Sequence, residues 1–118
     1  MEPHFNFHRL KVYHKALEFH LRIENIASTV ELPWYLKDQL LRASLSIVLN
    51  IAEGTGRPGT KEKQRFFSIA RSSVFECAAM ADILIATSRI NDTDALEILA
   101  STNELSRMLF SLGKNPGW

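Results

Sequence analysis

The sequence predicts an all-α protein, an antiparallel up-down-up-down four-helix bundle forming a single domain over residues 1–118. Three observations lead there. Apolar residues recur at steps of three and four in four separate segments, which sets each group along one side of a helix. Clusters of glycine, proline and asparagine divide the segments and leave only short connections between them. With 118 residues, 46% of them hydrophobic, the chain is long enough to bury one core.

The first segment, residues 6–29, carries two stripes: Leu10, Tyr13, Leu17 and His20, and beside them Val12, Ala16, Phe19, Ile23 and Ile26. Two stripes make a broad buried face that touches more than one neighbour. Leu32-Pro33 ends the region, because proline disfavours helical geometry in the residue before it. The second segment, residues 34–53, repeats at Leu36, Leu40, Ala43, Ile47 and Ile51, and Gly54, Gly56, Pro58 and Gly59 stop it. Thr60 is placed to cap the third segment, residues 61–89, in which Phe66, Ala70, Ser73, Cys77, Met80 and Leu84 alternate four- and three-residue steps. Its small residues Ala70, Ser73, Ala78 and Ala81 let a neighbouring helix approach closely. Asn91, Asp92 and Thr93 form the next break, with Asp92 or Thr93 as the cap. The fourth segment, residues 94–112, uses Ala95, Ile98, Leu99, Leu105, Leu109 and Leu112 before Gly113, Asn115, Pro116 and Gly117.

Composition removes several function classes. Formal net charge is +1, so nucleic-acid binding cannot be argued from bulk charge. Cys77 is the only cysteine, which excludes an internal disulfide and a multi-cysteine zinc site. It falls on the apolar stripe of the third segment and reads as a small buried hydrophobe rather than a nucleophile. The N-terminus has no apolar signal core and no run reaches membrane length, so a cytoplasmic protein without membrane contact is expected. His4, His8 and His14 lack nearby carboxylates to complete a coordination sphere, and no metal or cofactor is expected. His20, on an apolar stripe, reads as a hydrogen-bonded boundary residue. Trp34, Trp118 and the phenylalanines read as core or interface anchors rather than base-stacking platforms. No carboxylate pair stands at catalytic spacing, so no catalytic residue is assigned.

Gly54-x-Gly56-x-x-Gly59 fits the glycine fingerprint of a dinucleotide-binding loop and leaves a nucleotide-binding enzyme as a remote alternative. LSIVLNIA would then be a buried strand. Against it, Arg42, Ser46, Asn50 and Glu53 form a polar row along one helical face. Glu53 would set negative charge beside a pyrophosphate, and Pro58 removes a backbone N–H from a loop that works by donating them. The rest of the chain supplies no strands for a sheet.

RASLSIVLNIAEGTGR resembles the signature of the 23S rRNA intervening-sequence proteins, also called four-helix bundle proteins, whose motif reads QxxRAxxSIxxNIAEGxxR. Gln39, Arg42, Ala43, Ser46, Ile47, Asn50, Ile51, Ala52, Glu53, Gly54 and Arg57 all match it. Phe7, Leu10, Val12, Tyr13 and Ala16 resemble the family's opening helix, and RFFSIARSSVFE (residues 65–76) its third-helix motif. Val48-Leu49 stands where members often carry a proline, and Ser72 where they carry glycine. The resemblance implies an antiparallel four-helix bundle that assembles into homo-oligomeric rings, often pentamers. It also implies a distant likeness to the accessory proteins of diversity-generating retroelements, in which a basic bundle oligomer binds reverse transcriptase and nucleic acid. The family lends no catalytic residue.

Up-down topology sorts the charges by pole. The start of the first helix, the turn between the second and third, and the C-terminus share one end. That end holds Arg9, Lys11, Lys15, Arg57, Lys61, Lys63, Arg65 and Lys114 against Glu2, Glu53 and Glu62. The opposite end holds Arg22, Lys37 and Arg89 against Glu24, Glu31, Asp38, Asp82, Asp92, Asp94 and Glu97. A near-neutral chain is thus expected to be polarised, and Arg9, Lys11, Lys15, Arg57, Lys61, Lys63 and Arg65 are the candidate contacts to an RNA or DNA backbone. Lysines in the first turn of the third helix oppose the helix dipole, a modest argument for function. Arg42, Ser46, Asn50, Glu53 and Gly54, with Arg65, Ser68, Ser72 and Glu76, are the candidate subunit interface, its polar pairs fixing register. The expected function is a non-enzymatic oligomeric scaffold or adaptor contacting RNA or DNA. The alternative is a protein–protein interaction module with a protein partner and no nucleic-acid role.

Overall fold

A computed structural model describes residues 3–114, and four helices account for most of them. They are α1 (Lys11–Thr29), α2 (Trp34–Thr55), α3 (Thr60–Ala86) and α4 (Asp92–Lys114). No strand occurs among the described residues, and no helix there is long and apolar enough to cross a membrane. Inter-helix bonds fix the alternation of directions. His20 of α1 meets Ser44 of α2, Ser46 of α2 meets Ser73 of α3, and Gln64 near the start of α3 reaches the Gly113 carbonyl at the end of α4. Arg22, late in α1, pairs with Asp94, early in α4. The product is an up-down-up-down bundle with extents of 44 × 27 × 22 Å.

The predicted stripes form the core. Val12, Ala16, Phe19, Ile23 and Ile26 of α1 pack with Leu40, Ala43, Ile47 and Ile51 of α2, Ala70, Cys77 and Leu84 of α3, and Ile98, Leu105 and Leu109 of α4. Val74, outside the predicted stripe, is fully buried, whereas Ser73 is half-buried and bonds Ser46. The stripe of Leu10, Tyr13, Leu17 and His20 lies at the margin, half-buried. Burying a large aliphatic side chain contributes on the order of 2 kcal/mol each, so these stripes determine the fold. The seams of α3 with α2 and with α4 are the closest, and the α1–α4 seam is the loosest.

Five boundaries differ from the sequence-based expectation. The first helix is broken at Leu10, whose backbone is extended, so that residues 6–9 form a separate 3₁₀ turn. Phe7 folds back onto Tyr13, with ring centroids 4.8 Å apart, and His14 Nε2 lies 2.7 Å from the His8 carbonyl oxygen. Side-chain packing across the break thus replaces helical continuity. At α3, Thr60 is the first helical residue and Gly59 occupies the cap position without a side-chain bond. At α4, Asn91 is the cap, since its Oδ1 accepts the Asp94 N–H at 2.7 Å; Asp92 and Thr93 are already helical. The third helix stops at Ala86, short of Arg89. The Arg89 N–H reaches the Leu84 carbonyl and the Ser88 N–H the Ile85 carbonyl, with Ser88 left-handed at φ 54°. This bond pattern usually closes on glycine, so a serine gives no sequence cue. Gly113 continues α4 rather than ending it, and Asn115, Pro116, Gly117, Trp118 and Glu2 lie outside the described residues.

Gly54 is helical, within α2, and LSIVLNIA is helical with it. A Cβ on Gly54 would lie 2.7 Å from Phe67 Cε1 and 3.0 Å from Phe66 Cβ. The glycine is required because α3 crosses there, and its amide is committed to the helix. The dinucleotide-loop alternative is therefore excluded by the backbone conformation of its own motif.

Candidate nucleic-acid interface

Hairpin topology brings the cations of α1, the α2–α3 turn and the end of α4 to one pole, but the side chains there divide into committed and uncommitted groups. Arg57 binds Glu53 at 2.9 Å and Arg65 faces Glu62 at 3.5 Å, both at helical spacing. Lys15 reaches across to Glu104 of α4 at 3.1 Å, which places it on the α1–α4 seam as a bundle clasp. Lys63 donates to the Thr55 carbonyl at 2.9 Å. That bond explains a lysine in the first turn of α3: the residue opposes its own helix dipole but caps the negative C-terminus of α2 beside it. Its placement is a structural necessity of the turn. Arg9, Lys11 and Lys61 are exposed, and no carboxylate among the described residues pairs with them.

Phe66 organises the turn. Its ring lies beneath both Arg57, 4.7 Å from Cζ to centroid, and Arg65, at 5.1 Å. The two guanidiniums are held on one buried ring, so each can present N–H groups without first losing much rotamer freedom. At the far pole Arg22 bonds Glu97 and lies 3.4 Å from Asp94. Glu31, Asp82 and Asp92 there have no cationic partner among the described residues. The two poles are separated by most of a 44 Å rod, several times the ~8 Å screening length at physiological salt, so each acts independently on a ligand.

The candidate interface residues separate in the same way. Ser46 accepts from Asn50 Nδ2 at 3.0 Å within α2 and from Ser73 Oγ at 2.8 Å, and the second bond knits α2 to α3. Glu76 is bound by Gln39, Arg42 by Asp38 at 3.0 Å, and Glu53 fastens the turn through Arg57. Gly54 is buried inside the protomer by Phe67 and cannot be a subunit contact. Ser68 and Ser72 remain exposed on α3. The signals that the polar rows did not carry are apolar: Leu45 and Leu49 of α2 are 43% and 54% exposed one turn apart, and Ile69 and Ile83 are exposed on α3.

Burial pushes the Cys77 thiol up to about 12, with the Glu76 charge adding to the effect, so the sulfur stays protonated and unreactive at neutral pH. His20 Nδ1 lies 2.6 Å from the buried Ser44 hydroxyl, the partner that the boundary reading of His20 left unnamed. His8 Nδ1 accepts the backbone N–H groups of His4 and Phe5 at 3.2 Å. Among the described residues no group of three His, Cys, Asp or Glu is arranged to hold a metal ion. A groove of about 450 Å³ along the α1–α4 seam is crossed by the Lys15–Glu104 and Arg22–Glu97 pairs.

The phenylalanines divide between core and surface. Phe67 is in the core, with Phe19 and Phe66 also buried, but Phe75 and Phe110 are 54% and 42% exposed, and Trp34 is 78% exposed. Arg71 lies over both Phe75 and Phe110. Phe75 is four residues along the same helix, whereas Phe110 comes from α4, 39 positions away, and that second contact is not visible in the pattern of either helix.

A family model described as 23S rRNA-intervening sequence protein matches residues 8–111. A crystal structure from Bacteroides thetaiotaomicron, described as a protein of unknown function from the S23 ribosomal protein family, superposes with a TM-score of 0.82 at 27% identity. The match covers 88% of this chain and 99% of that one. No curated protein matches this chain.

Proposed function

The chain belongs to the 23S rRNA-intervening sequence proteins, and from that premise we propose a non-enzymatic, oligomeric helical scaffold that contacts an RNA or DNA backbone through its basic pole. One observation carries the proposal. Arg9, Lys11 and Lys61 have no carboxylate partner among the described residues, and hairpin topology puts them at the same pole as the ring-held Arg57 and Arg65. Such a cluster attracts phosphates by charge and counterion release and reads no base edges. The buried, protonated Cys77 supports a non-catalytic role.

Assembly is supported by Leu45 and Leu49 on α2 and by Ile69 and Ile83 on α3, which flank the seam that Gln39 and Glu76 close. A ring, a pentamer by family resemblance, would repeat the basic pole around one rim and multiply its potential. Multi-angle light scattering measures the subunit number, and Leu49→Glu is expected to lower it. The exposed apolar stripe also gives the protein–protein module its one argument, because a stripe of this kind can seat a foreign helix.

The test is fluorescence anisotropy with an RNA of mixed sequence over a salt series. Affinity should fall steeply as salt rises. Lys61→Glu with Arg65→Glu should weaken binding at every sequence and flatten the salt dependence by about two charges. Equal inertness toward RNA and DNA at low salt would leave the protein–protein module as the surviving reading.

A further inference from the structure

The α3–α4 face carries a second arrangement, separate from the unpaired lysines of the pole. Arg71 of α3 donates its Nε–H to the Ser106 carbonyl of α4 at 3.2 Å, which fixes the guanidinium on the seam. From there its Cζ lies 4.8 Å from the Phe75 centroid and 5.1 Å from that of Phe110. Lys114 Nζ lies 4.5 Å from the Phe110 centroid. Cation–ring contacts of this length orient the rings without covering them, and both remain about half exposed.

Two shallow depressions flank Arg71 along the seam. One, of about 170 Å³, is lined by Ser68, Arg71 and Phe110; the other, of about 220 Å³, is lined by Phe75, Ala78 and Asn103. Both are smaller than the ~300 Å³ at which small-molecule pockets begin, and each suits one flat ring edged by hydroxyl or amide groups. The half of this face nearer the basic pole bears Arg71, Arg107 and Lys114. Glu76 turns toward α2, where Gln39 holds it, and Glu104, which shares a depression with Asn103 and Arg107, is paired with Lys15 of α1.

Exposed aromatic rings interleaved with cations, and continuous with the basic pole, fit an unpaired nucleic-acid strand. Its bases have open π-faces for the rings and its phosphates suit the cations. In a duplex those base faces are already stacked and unavailable. We propose that Phe75 and Phe110 are base-stacking platforms arranged around Arg71, making this face a binding site for single-stranded nucleic acid. The inference rests on the basic-pole reading and adds to it a preference for unpaired strands. An acidic surface of another protein would use the cations but leave the rings without partners.

Anisotropy with fluorescein-labelled oligo(dT) and with a DNA duplex of equal length tests it. The wild-type protein should bind the single strand more tightly. Phe75→Ala with Phe110→Ala should weaken single-strand binding by roughly five- to a hundred-fold per stacked base, with duplex affinity unchanged. Phe75→Leu with Phe110→Leu keeps the apolar bulk, protects the fold and should lose most of the same affinity. Tight single-strand binding that is indifferent to both double variants would overturn the platforms and leave the basic pole standing. Failure of the wild-type protein to bind either probe would remove both readings. A fall in oligomer mass in the leucine variant would assign this face to contacts between copies of the chain and overturn the proposal.

Discussion

Gly54→Ala puts the geometry of the α2–α3 crossing to a test in which two effects of opposite sign compete. Alanine in a helix interior is favoured over glycine by about 1 kcal/mol, so propensity alone predicts a more stable protein. The crossing predicts the reverse. The added methyl would stand 2.7 Å from Phe67 Cε1 and 3.0 Å from Phe66 Cβ. Phe67 is only 1% exposed and cannot swing into solvent, while Phe66 is pinned beneath two guanidiniums. Overpacking of this kind costs about 1–3 kcal/mol when backbones must separate, and a contact inside 3 Å belongs at the upper end. The net expectation is a loss of about 1–2 kcal/mol, or roughly 4–8 °C in Tm for a chain of this length. Thermal and urea denaturation followed by circular dichroism would measure it. Phe67→Leu in the Gly54→Ala background should recover part of the loss, because the two positions share one space. A variant that melts higher than wild type would show that propensity wins and that α3 does not approach α2 at this point.

Two further outcomes follow from local structure. Ser88 holds a left-handed conformation that costs a residue with a Cβ about 1 kcal/mol, so Ser88→Gly should raise Tm by a few degrees, where an ordinary helix position would lose stability. The Cys77 thiol is raised by burial to about 12 from 9.0. Its folded form therefore holds its proton where the unfolded form has lost it. The associated stability is complete below pH 9 and disappears as pH rises toward 12, so stability should decline over that window, and Cys77→Ala should flatten the decline in urea midpoints.

Much of the bundle was legible because helical periodicity depends on local spacing. The stripes through Ile23, Ile47, Cys77 and Leu105 needed only a count of threes and fours, and the core follows them. Ends were less legible. At Ser88 hydrogen bonding overrides residue preference, and at Leu10 packing of Phe7 on Tyr13 replaces a cap. For the candidate interface, hairpin topology placed distant cations at one pole but could not say which were already engaged. Lys15 meets Glu104 across 89 positions of sequence, and Lys63 serves the end of the preceding helix. Gly54 was grouped with the subunit interface because its motif neighbours are polar; its actual partner, Phe67, arrives from the next helix. Arg71 was hidden for the same reason, since its two rings come from α3 and α4 and only the folded seam unites them.

The central claim is that position, rather than total charge, makes one pole bind phosphate. Its most direct measurement compares RNA affinity in two double variants of identical net charge, Lys11→Glu with Lys61→Glu at the basic pole and Lys37→Glu with Arg89→Glu at the acidic one. The account predicts a loss of at least tenfold in the first pair and little change in the second. Equal losses in both would contradict it.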